Sequence, residues 1–95
     1  MSETFDDRYF DLTMKVVNYA FEFVNQPGYA FLRMTDLLDS LVNLSSIIDG
    51  VDRKEFYEII KANLKGRRNL VTSEEKTNLL NEILSIYIEE WRKSK

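Results

Sequence analysis

Apolar positions in the first 24 residues fall on two stripes of a single helix. Phe5, Tyr9, Leu12, Val16, Tyr19, Ala20 and Phe23 recur at steps of three and four. So do Phe10, Met14, Val17, Phe21 and Val24, displaced by roughly 100–140° at 100° per residue. The combined apolar arc is about 220°, against the roughly 100° stripe of an ordinary surface helix. This width predicts one face in the chain's own core and a second face that needs another partner.

The same periodicity continues to the end of the chain. The first helix is expected over about residues 6–25, stopping at Gln26-Pro27-Gly28, where proline cannot continue it and glycine permits the turn. A second, over about 29–49, carries a regular seam of Ala30, Met34, Leu37, Leu41, Leu44 and Ile48 and ends at Asp49-Gly50. The third is expected over about 52–65, opened by Asp52 and Glu55 at capping-box spacing and burying Phe56, Ile59, Ile60 and Leu64. Thr72 and Glu75 supply a stronger capping box for a fourth helix over about 73–92, whose main face holds Leu80, Leu84, Tyr87, Ile88 and Trp91. Leu79 and Ile86 widen its apolar arc. No segment alternates like a strand, and the connections are short. The expected fold is one all-α domain, a compact antiparallel four-helix bundle. Its surplus apolar face predicts a homodimer, with Phe10, Met14 and Phe21 of the first helix and Leu79 and Ile86 of the fourth at the seam.

Composition narrows the chemistry. The chain has 95 residues, 44% hydrophobic and 31% charged, which is the balance of a folded domain. It contains no Cys and no His, which removes disulfides, thiolate and imidazole catalysis and the usual zinc ligands. No apolar run approaches the length needed to span a bilayer, and the acidic start is unlike a secretory signal, so a cytoplasmic location without membrane contact is expected. The net charge of −3 is uneven: −5 over residues 1–50 and +2 over residues 51–95.

Three groups of residues are candidates for chemistry. Arg33 borders the second helix's apolar seam, with Tyr29 one turn before it and Asp36 one turn after. Together they form a candidate small polar site for a phosphate or carboxylate, the alternative being an ion pair within the fold. Asp36 and Asp39 are the carboxylates best spaced for a magnesium-dependent enzyme acting on a phosphorylated small molecule. The Glu74-Glu75 and Glu89-Glu90 pairs lack the further acid that helical pyrophosphohydrolases place three residues on. Lys61, Lys65, Arg67 and Arg68 close the third helix and are the candidate nucleic-acid contact, which the pI near 4.9 opposes. No catalytic set, metal site or cofactor is implied. The leading expectation is a non-catalytic, adaptor-like interaction protein acting as a homodimer.

The segment Gln26-Pro27-Gly28-Tyr29-Ala30-Phe31-Leu32-Arg33-Met34 resembles a small helical family of bacteria and archaea. Members combine a glycine-aromatic turn, an arginine one turn later and a leucine-rich helix. The resemblance spans roughly residues 10–90 and implies an all-α fold. The family has no assigned activity, so it implies no site residue.

Overall fold

The computed structural model describes residues 4–26 and 29–93. Four helices follow in order, α1 Phe5–Phe21, α2 Ala30–Leu44, α3 Lys54–Leu64 and α4 Ser73–Lys93, with a short 3₁₀ turn at Arg67–Asn69 before α4. Each helix packs on two others, α1 and α3 both lying between α2 and α4. Contacts between opposite ends make the neighbours antiparallel. The Tyr9 hydroxyl donates to the Leu41 carbonyl, Lys54 Nζ reaches Ser45 O at 2.8 Å, and Arg67, just past the end of α3, reaches back to Asp36 in the first half of α2. The all-α four-helix bundle expected from the sequence is present.

Both early helices stop sooner than expected. α1 ends at Phe21, where the Glu22 and Phe23 N–H groups bond three residues back to Tyr19 and Ala20 and tighten the last turn. The expected stop at Pro27-Gly28 lies outside the described residues. α2 ends at Leu44 instead of Asp49, because the Ser45 and Ser46 hydroxyls donate to the Val42 and Asn43 carbonyls at 2.6 and 3.0 Å. Serine offers the backbone this local alternative to continued helix. Gly50 then turns the chain with φ +93, a conformation that side-chain-bearing residues rarely adopt.

Capping was partly legible. Thr72 and Glu75 form the expected reciprocal box: the Glu75 N–H donates to Thr72 Oγ1 at 3.1 Å and the Thr72 N–H to Glu75 Oε1 at 3.0 Å. A second box, Thr4 with Asp7, opens α1. The expected Asp52–Glu55 box does not form, and α3 has no side-chain cap from its own segment. Asp6 of α1 serves instead. Its Oδ1 accepts the Asp52 N–H at 2.8 Å and the Arg53 N–H at 3.4 Å, and its Oδ2 pairs with Arg53 Nη1 at 2.8 Å. The same guanidinium lies 4.5 Å from the Phe10 ring centroid and 3.5 Å from Glu90. One partly buried ion cluster therefore joins the starts of α1 and α3 to the end of α4.

The two stripes of α1 prove to be the walls of a single buried arc. Between them run Asp6, Thr13 and Ala20, 7%, 0% and 1% exposed, and this row points at the core. Two of its three residues are polar, so an apolar pattern alone divides the helix in two. Phe10 is the hub of an aromatic core, its centroid 5.5 Å from Phe56 and 5.3 Å from Tyr87. Phe56 in turn stacks edge-on against Tyr87 at 4.8 Å.

Candidate functional site

The buried hub removes Phe10 from the expected dimer seam. Phe10 is 2% exposed within one chain, so it has no surface to offer a second one. Met14, Phe21, Leu79 and Ile86 are partly buried and packed on the same core. Of the second stripe, Phe10, Val17 and Val24 are buried within one chain.

Tyr29, Arg33 and Asp36 do not converge. Tyr29 is 71% exposed, and Arg33 is exposed on the outer side of α2. Asp36 turns the other way, toward the 3₁₀ turn. Its Oδ1 accepts from Arg67 Nε and Nη2 at 3.1 and 2.9 Å and from Arg68 Nη2 at 3.1 Å. Asp39 lies 3.7 Å from the same Arg67, which also donates to the Leu64 carbonyl at 2.9 Å. Two of the bases in the candidate nucleic-acid cluster are thus committed to the two acids of the candidate magnesium site. Each group neutralises the other and ties the end of α3 to α2. Among the described residues no three acids gather closely enough to hold a metal ion.

The perturbed titrations are structural. Asp7 is held below the ordinary carboxylate range chiefly by the Thr4 backbone N–H, and Glu75 chiefly by those of Thr72 and Val71. Both are lowered by capping, whereas a carboxyl acting as general acid near neutrality needs a raised pKa. Burial pushes the Tyr57 and Tyr87 phenols well up, with the Thr13 hydroxyl opposing weakly.

What the fold leaves uncovered is the outer face of α1 and α2. Phe5, Leu12 and Tyr19, seven residues apart on α1, are 53%, 46% and 47% exposed, and Leu37 and Leu44 of α2 are 47% and 45% exposed. Met14 and Asp11 on one flank of α1 face Ile88 and Trp91 of α4 across a groove of about 380 Å³. The Phe5–Leu12–Tyr19 row occupies the opposite flank, next to α2, where Phe5 lies against Gly50. Beneath it Tyr9 and Val16 are buried, with Met34, Leu41 and Ile48 partly buried on the α2 side. The two rows make a half-exposed apolar face along both helices. Every one of its residues already belongs to an apolar seam in the sequence; that their row sits at the edge of the buried arc depends on where the neighbouring helices lie. Ile59 of α3 stands at a further groove of about 420 Å³ with Ile86, rimmed by Glu82 and Glu89.

Comparison with protein-family models, curated proteins and solved structures finds no match to this chain. Among the described residues no helix is long and apolar enough to cross a membrane.

Proposed function

We propose that the protein is a non-catalytic, cytoplasmic helical interaction module that works through the outer face of α1 and α2. The observation that carries this reading is the row of half-exposed large apolar side chains, Phe5, Leu12 and Tyr19 beside Leu37 and Leu44, running along both helices. Scattered apolar residues are normal on a surface, whereas a contiguous stripe at heptad spacing marks a helix-binding face. A homodimer, as expected from the sequence, would not use Phe10, which is taken up inside the chain, and this face is the longest apolar row left to it on α1.

Replacing both Leu12 and Leu37 with Ser separates docking from folding. If these side chains serve a partner, denaturant unfolding of the purified double variant loses about 1–2 kcal/mol in all, the scale of partial burial. A loss approaching the roughly 4–10 kcal/mol of two fully buried leucines would make them core residues and remove the proposal.

A further inference from the structure

α3 and α4 are the least closely packed of the neighbouring helix pairs, and the groove of about 420 Å³ lies between them. Phe56, the half-exposed Ile59 and the partly buried Ile86 make its apolar part. The polar groups beside them share one property: nearly all accept hydrogen bonds. Glu82, Glu89 and Glu90 bring three carboxylates. Asn63 Nδ2 donates to the Ile59 carbonyl and Ser85 Oγ to the Asn81 carbonyl, both at 2.9 Å. Asn63 Oδ1 and the Ser85 oxygen therefore remain as acceptors. Lys93, at the end of α4, is the one base among the described lining residues. Two of the carboxylates are shared with arginines outside this groove. Glu90 lies 3.5 Å from Arg53, and Glu89 lies 3.6 Å from Arg92 in a solvent-exposed pair of the kind that contributes little. Glu82 has no ion pair among the described residues. Residues 51–95 carry a net charge of +2, yet here they set three carboxylates against one ammonium.

We infer that the α3/α4 groove binds a small organic cation, an alkyl or aryl body carrying an ammonium group. The body packs on Ile59 and Ile86 beside Phe56, and Glu82 takes the charge, supported by Glu89 and by the Asn63 and Ser85 oxygens. An ammonium carries donors and no acceptor, which is the complement of this lining, and its hydrogen bonds to a carboxylate are of the strong, charge-assisted kind. A carboxylate or phosphate ligand would meet three like charges, and a neutral apolar one would leave the acceptors unused. The acids are spread too widely to hold a metal ion. The ligand is a small molecule because the volume is of that class, and because α3 lines the groove only from Phe56 to Asn63, about 10 Å at 1.5 Å per residue, which is short for a docked helix. This site is separate from the outer face of α1 and α2 and does not rest on it.

The test titrates the nitrogen-15-labelled full chain at pH 7 with 4-phenylbutylamine, 4-phenylbutanol and 4-phenylbutyrate, which share one apolar body and differ in charge. Amide chemical shifts are expected to move saturably with the amine at Ile59, Asn63, Glu82 and Ile86. The amine should bind at least tenfold more tightly than the alcohol, and the carboxylate should not bind. The amine's advantage should shrink as salt is raised from 50 mM to 500 mM. Glu82→Gln, an exposed change that keeps the side chain's shape, should weaken the amine at least fivefold and leave the alcohol unchanged. Ile59→Ser should weaken amine and alcohol by similar factors with helical circular dichroism unchanged, and Ile59→Ala serves in its place should Ile59→Ser unfold. Equal binding of amine and alcohol would overturn the cation, as would amine binding indifferent to Glu82→Gln. Shifts that spread over the acidic surface without saturating would mean non-specific ion pairing and no site. Absence of any response to the amine would overturn the inference outright, and a lysine-rich helical peptide that moved the same amides where the amine did not would assign the groove to a basic protein partner instead.

Discussion

Tyr57 and Tyr87 each bury a hydroxyl, at 1% and 0% exposure, that makes no hydrogen bond of normal geometry among the described residues, although the Thr13 hydroxyl is near enough to act on both. An unsatisfied buried hydroxyl forgoes the hydrogen bonds it makes with water in the unfolded chain, a cost of about 1–3 kcal/mol. The aromatic bodies repay part of this through Phe56, whose ring lies 5.0 Å from Tyr57 and 4.8 Å from Tyr87. Removing only the oxygen should therefore leave stability unchanged or raise it. Burial also raises both phenol pKa values above the ordinary value of 10.0. In the pH window above 10 the unfolded chain loses these protons while the folded chain keeps them, so stability falls as pH rises. Each tyrosine contributes a slope of up to about 1.4 kcal/mol per pH unit there and nothing near neutrality. Urea unfolding between pH 8 and pH 11.5 should show this decline in the wild type and a shallower one in Tyr57→Phe, Tyr87→Phe. An identical decline in both would assign the alkaline sensitivity to other groups.

At the level of the helices, the sequence was most informative where a structural need is met within a few residues. Thr72 and Glu75 cap α4 as their spacing implies, since both halves of that box are local. The start of α3 was misread because its cap comes from Asp6, more than forty positions earlier, and no spacing rule reaches across helices. The polar row of Asp6 and Thr13 misled for a related reason. Each looks like an interruption of the apolar face, although Asp6 is consumed by Arg53 and α3, and Thr13 Oγ1 donates to the Phe10 carbonyl at 3.0 Å. The candidate site fared likewise: the pairing of Arg67 and Arg68 with Asp36 joins two segments that a sequence reading can only treat apart. Asp6 makes the cross-helix contribution measurable. Replacing it with Ala leaves the Asp52 and Arg53 N–H groups just before α3 without their acceptor and Arg53 without its closest carboxylate, with Asp7 and Glu90 as partial substitutes. A loss of about 2–4 kcal/mol is expected, near the cost of breaking a buried pair, with faster amide exchange at the start of α3. A loss below about 1 kcal/mol would show that Asp7 and Glu90 suffice.

Taken as a whole, the molecule distributes its apolar surface unevenly around one bundle. The core side of α1 is closed by α2 and α4, while the outer α1/α2 face keeps Phe5, Leu12, Tyr19, Leu37 and Leu44 about half-exposed. This division reverses the expectation attached to Phe10, and a single comparison distinguishes the two. Were Phe10 at a dimer seam, a polar substitution there would dissociate the protein and leave the monomer folded. Packed instead against Phe56 and Tyr87 and beneath the Arg53 guanidinium, its replacement by Ala opens a cavity where three helices and the ion cluster meet. The expected cost is about 3–5 kcal/mol, which for a domain of this size lowers the melting temperature by more than ten degrees. Leu12→Ala, on the same helix but at 46% exposure, is expected to cost about 1 kcal/mol or less. Calorimetry of the two variants reads this contrast directly. If the losses were similar, the two sides of α1 would be equivalent and the outer face would be part of the folding core; if Phe10→Ala proved harmless, the aromatic hub would not be what holds α1, α3 and α4 together.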